Sequence, residues 1–157
     1  MPLILIYLIA LISGAMQAST LGTPLTITGY APYLLDTVLL FVVGLWLSFT
    51  GLLHLFTGEA FARRLGMASG SPFQKVVGVC NVAMGATAFA NLVMQDSGFR
   101  LAVAMSAAMF WMGAGLLHLA DTRSLSAKSW NDKLTAGSEI AIALSLAAFA
   151  ALSRVGL

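Results

Sequence analysis

Hydrophobic residues in this chain come in long unbroken blocks, without the alternation of a surface strand or the single stripe of a water-facing helix. Four blocks stand out: Leu34–Phe56, Val76–Met94, Leu101–Ala120 and Ser138–Val155. Each approaches the roughly 20 residues that a helix needs to cross a hydrocarbon core about 30 Å thick. A fifth block, Leu3–Ala18, is near the lower limit. It lacks the basic n-region and the small-x-small cleavage site of a secretion signal, so it reads as a short first span. The pattern predicts an all-α fold, a polytopic membrane bundle of about five transmembrane helices in a single domain over residues 1–157. Four of the helices are long and the N-terminal one is short.

Composition supports lipid as the solvent. Hydrophobic residues make up 59% of the 157 and charged residues 9%. Soluble domains carry about 45–50% and about 25% respectively. So little charge cannot clothe a water-facing surface, and the length leaves no room for a separate soluble domain. The one cysteine, Cys80, sits within an apolar block and reads as a small buried hydrophobe, with no disulfide or zinc spacing around it.

The few charges fall between the blocks. Arg63, Arg64 and Lys75 lie at 57–75, and Arg123, Lys128 and Lys133 at 121–137. Helix parity puts both loops on one side, with Arg100 and Arg154 on the other. The positive-inside bias then places the N-terminus and both basic loops in the cytoplasm, in a cell inner (plasma) membrane. The basic residues form no continuous stripe, which speaks against nucleic acid. The uncharged segment Ser19–Tyr33 is expected in the headgroup zone, anchored by Tyr30 and Tyr33.

Lipid tails are as apolar as leucine, so helices adhere in a membrane through small residues that let backbones close in. Gly44 and Gly51, Gly78 and Gly85, and Ser106 and Gly113 are each seven apart, which returns to nearly the same helix face. Three small-residue stripes facing one another are expected. Asn81, early in its span, should hydrogen-bond across helices. Glu139, after Gly137 and Ser138, reads as a first-turn residue favoured by the helix dipole.

The segment Gly51-Leu52-Leu53-His54-Leu55 recurs as Gly115-Leu116-Leu117-His118-Leu119, 64 residues on. A basic loop and an apolar span follow each copy, which suggests a parallel two-helix repeat. His54 and His118 should then lie at similar depths. If their helices are neighbours, both imidazoles could reach one haem iron, metal ion or other ligand. Asp121, three residues after His118, and Glu59, beyond Gly58, could orient the rings as carboxylates do beside metal ligands. The plainer alternative is that each histidine satisfies open carbonyls at a helix C-terminus.

From Gly44 onward the residues resemble an uncharacterised family of small bacterial integral membrane proteins. The likeness rests on Gly44-x6-Gly51-x2-His54, Glu59-Ala60-Phe61-Ala62, Gly66, Ser71-Pro72-Phe73-Gln74, Val77-Gly78-Val79, Asn81 and Gly85. A histidine ending a later span, His118, and a glutamate opening the last, Glu139, complete it. Relatives often carry an acidic residue after Gln74 or Lys75, where this chain has Val76. A looser likeness runs to DoxX-type four-helix membrane proteins. The resemblance implies a fold and no activity.

Three functional readings follow. The chain is a non-catalytic subunit or accessory protein of a membrane complex, beside other membrane subunits or as a homo-oligomer. Alternatively it binds haem, a metal or a quinone through His54 and His118. A third reading is a small transporter or a pocket for an apolar ligand. No nucleophile–base motif or metal cage points to an enzyme.

Overall fold

The structure, a computed structural model, describes residues 2–58, 72–124 and 130–155, apart from the side chains of 73, 121–132 and 155. Five helices account for nearly all of them: α1 (Pro2–Thr20), α2 (Ile27–Phe56), α3 (Pro72–Met94), α4 (Ser97–Ser124) and α5 (Trp130–Val155). All five are long and apolar enough to cross a membrane. No strand occurs among the described residues. The bundle is all-α, as the hydrophobic blocks predict.

The helices run further than those blocks. α2 starts at Ile27 rather than Leu34, because Thr26 caps it: extended backbone there lets its Oγ1 accept the Gly29 N–H at 3.1 Å. The expected interfacial stretch Ser19–Tyr33 shrinks to residues 21–26, and Ser19 and Tyr30 bind through their hydroxyls at 2.8 Å across it. Pro72 opens α3, where a missing N–H removes no rung of the helix. Gln95 and Asp96 alone join α3 to α4. Gln95 takes a left-handed φ of 49°, and Asp96 Oδ1 accepts the Phe99 N–H at 2.7 Å.

The expected loop at 121–137 contracts from both ends, since α4 reaches Ser124 and α5 begins at Trp130. Glu139 therefore lies well inside α5, not in its first turn. Gly137 fails to end the helix because an interior glycine costs only about 1 kcal/mol against alanine. Buried Ala136, Glu139, Ile142 and Ala143 along the same helix hold it in place.

α2 is the central element. Its first part, Ile27–Val38, packs on α1 and α5, while its last part, Ser48–Phe56, packs on α3. Between them Leu39–Leu47 is π-helical. The wider turn shifts which residues face inward, and it is there that α2 passes from one set of partners to the other. Leu35, Val38, Leu39, Val42, Val43 and Leu47 of α2 belong to one core cluster with Ile142 and Leu146 of α5, all with almost no exposure. α4 adds Ala104, Ala107 and Trp111 to that core and has α5 as its main partner.

Two of the three small-residue stripes carry helix contacts. A Cβ on Gly51 would lie 2.8 Å from the Gly78 carbonyl oxygen and 2.9 Å from Val82 N. One on Gly85 would lie 2.9 Å from the Gly44 carbonyl oxygen and would collide with Ser48 Oγ. These are backbone-to-backbone approaches between α2 and α3. Ser106 and Gly113, by contrast, are exposed, and nothing lies within 4 Å of Gly113. The α4 face turned inward carries buried Ala104, Ala107, Trp111 and Gly115, a different face from that of Ser106 and Gly113. Cys80 is exposed as well, so it faces the surroundings of the bundle rather than its core.

Alanine at Gly51 or Gly85 should therefore cost about 1–3 kcal/mol of stability, the range for overpacking a filled contact. Alanine at Gly113 should be neutral or slightly stabilising through helix propensity. Reversible unfolding in mixed micelles, compared across the three variants, checks the contrast.

Candidate functional site

Where α4 and α5 come together, His118 Nδ1 and Glu139 Oε2 are 2.6 Å apart. The sequence places them there through Gly115. A Cβ at that position would lie 2.7 Å from Ile140 Cγ1 and 3.2 Å from both the Ala136 carbonyl oxygen and Glu139 Cβ. Only a glycine lets α5 approach this closely, and His118, three residues on, then meets the carboxylate. The two ends of the pair differ in environment: the Glu139 side chain is 6% exposed and that of His118 is 52% exposed.

That asymmetry decides what the pair can do. A carboxylate in an apolar seam is costly unless a partner holds it. With Glu139 ionised, Nδ1–H donates to it; with Glu139 protonated, its O–H donates to Nδ1. Either way one proton sits between the two groups. The carboxylate thereby fixes the tautomer and plane of a ring whose other half reaches the protein surface, an arrangement shared by metal-ligating and proton-handling histidines.

His54 occupies the matching place in the first copy of the repeat. A Cβ on Gly78 of α3 would lie 3.1 Å from His54 Cβ, and Gly51 rests on Gly78 and Val82 as Gly115 rests on Ala136 and Ile140. Each copy of Gly-Leu-Leu-His-Leu thus seats its glycine and histidine on the helix that follows it. This assigns the two histidines to different helix pairs, His54 to α2–α3 and His118 to α4–α5. The Ser48–Phe56 part of α2 packs on α3, and α4 packs chiefly on α5. Glu59 lies outside the described residues, as does the side chain of Asp121. The partner that sequence spacing did not reveal is Glu139, across a helix connection where no i, i+3 or i, i+4 rule applies.

Polar groups elsewhere link helices. Asn81 Nδ2 donates to Thr50 Oγ1 at 3.4 Å, joining α3 to α2, while its Oδ1 is buried with no hydrogen-bond partner. Toward the opposite end of the bundle, Arg100 Nη1 of α4 lies 3.3 Å from Asp36 Oδ2 of α2, an ion pair that joins these two helices. Trp111, 4% exposed and two turns before His118 on α4, has a buried indole N–H without a partner. Among the described residues no group of three or more His, Cys, Asp or Glu could hold a metal ion.

The His118–Glu139 contact should be measurable as a coupling. A double-mutant cycle of His118→Ala and Glu139→Ala, read by unfolding in micelles, is expected to return about 1.5–3 kcal/mol, the range for a hydrogen bond involving a charged group. Additive single effects would contradict the pairing.

Comparison with known proteins adds a family and nothing about activity. No curated protein and no solved structure matches the chain. Over residues 1–156 it matches the model of a family of unknown function (DUF6790), and it belongs to that family.

Proposed function

We propose that this protein is a small ligand-binding component of the membrane, with the His118–Glu139 couple as its recognition element. The observation that carries this reading is a nearly fully buried carboxylate bound to a half-exposed imidazole. An ionisable group inside a span is a functional candidate by default, because lipid makes it expensive. An amide would join two helices at lower cost.

The chemistry suits the polar head of an apolar molecule that exchanges hydrogen bonds with imidazole, and quinols are the class that joins such a head to a lipid-soluble body. A haem held by both histidines of one chain is less well supported, since His54 and His118 belong to different helix pairs. The Glu139 carboxylate beside His118 favours the quinol alternative over the two-histidine one. The role of non-catalytic subunit or accessory protein is the second reading, favoured by the same contact seen as a latch between α4 and α5. A homo-oligomer or a larger membrane complex would be its setting. The DoxX-type likeness adds a helical scaffold to either reading and no residue role.

Orientation belongs to the same proposal. Arg63, Arg64, Lys75, Arg123, Lys128 and Lys133 outnumber Arg100 and Arg154. The positive-inside bias puts the histidine end of the bundle at the cytoplasmic face of a bacterial inner membrane.

Equilibrium binding of a short-tailed benzoquinol to the purified protein separates the readings. Saturable binding that His118→Ala and Glu139→Gln each weaken at least tenfold is expected. Absence of binding, with both variants merely less stable, would reject the ligand site and favour the latch.

A further inference from the structure

At the end of the bundle away from the histidines, an open cleft of about 270 Å³ is lined by Leu35 of α2, Ser97, Arg100 and Leu101 of α4, and Ala150, Ser153 and Arg154 of α5. We propose that this cleft is a binding site for a phosphate group, held between Arg100 and Arg154.

Arg100 is already positioned. Its side chain is 23% exposed, and Asp36 engages it through Nη1 alone, at 3.3 and 3.5 Å. A guanidinium carries five N–H donors in a fixed fork. The Asp36 contact therefore orients the group while leaving most of its donors for the cleft. Arg154 lines the cleft from α5, and no ion pair involves it among the described residues.

The lining itself carries two positive charges and no carboxylate; Asp36 balances Arg100 from beside the cleft, and Asp96 caps α4 next to Ser97. Ser97, in the first turn of α4, adds a hydroxyl donor. Ser153 Oγ donates to the Phe149 carbonyl at 2.6 Å, so its hydroxyl proton is committed and it shapes the wall. Leu35 and Ala150, almost without exposure, form an apolar floor. Two guanidiniums and a hydroxyl above an apolar floor match a tetrahedral oxyanion carrying an apolar or neutral substituent. Arginine suits that geometry because its fork can give two parallel hydrogen bonds to one phosphate.

The shared chemistry is the phosphate group, which an anionic phospholipid headgroup or a soluble phosphate could supply. Native mass spectrometry of the protein with phosphatidylglycerol or phosphatidylcholine tests the lipid source. Calorimetric titration with inorganic phosphate in neutral detergent tests the soluble one. Arg154→Gln is the informative variant, since it leaves the Asp36–Arg100 pair intact, and Lys75→Gln, on α3 and not among the lining residues, is the control.

Retention of one phosphatidylglycerol in preference to phosphatidylcholine, weakened at least tenfold by Arg154→Gln and unchanged by Lys75→Gln, supports the site with a lipid occupant. Inorganic phosphate binding with the same variant pattern supports it with a soluble one. Equal retention of both lipids that Arg154→Gln leaves unchanged, no binding in either arm, or an Arg154→Gln variant with wild-type affinity would overturn it.

Discussion

Close backbone approach is the constraint on which this bundle depends. In water, burying leucine against leucine would hold five helices together; in lipid that gain largely vanishes, and contact must come from packing and hydrogen bonds. Gly51 against Gly78 and Gly85 against Gly44 bring α2 and α3 to near-contact of their main chains. Gly115 does the same for α4 and α5. Once the main chains are that near, neighbouring side chains have no room to choose their partners. His54 is set against α3, and His118 is delivered to Glu139.

The π-helical run in α2 belongs to the same logic. A straight α-helix keeps one face toward one neighbour, whereas α2 must serve α1 and α5 along its first part and α3 along its last. Widening the turn over Leu39–Leu47 changes the inward face without breaking the helix or exposing backbone polar groups to lipid, which would be costly. The bundle is thus two glycine-seated helix pairs, α2–α3 and α4–α5. They are joined by the two-residue connection at Gln95 and Asp96, with α1 and α5 completing the core around α2.

Much of the architecture was legible in the sequence because it follows from length and hydropathy. Five apolar blocks gave five helices, and the stripes Gly44/Gly51 and Gly78/Gly85 gave their contact. The differences share a cause. Hydrophobicity falls before the helices end, because polar residues such as Thr26, Asp96 and Lys133 belong to caps and first or last turns, so α2 and α5 begin earlier than their apolar blocks. That shift alone moved Glu139 from a helix entrance to the interior. Ser106 and Gly113 satisfied the spacing rule yet face outward, since spacing fixes that residues share a face and says nothing about where the face points. Glu139 could be noticed as a carboxylate within a span, but its pairing with His118 depends on how two helices dock, which no local rule encodes.

The depth of Glu139 bears on how the chain enters its membrane. Presented to lipid alone, α5 would carry a bare carboxylate several residues inside its apolar stretch. With α4 beside it, the same group arrives already joined to an imidazole. The last two helices are therefore best suited to partition together, as one hairpin, and severing their link should hamper assembly of the final span more than of any other.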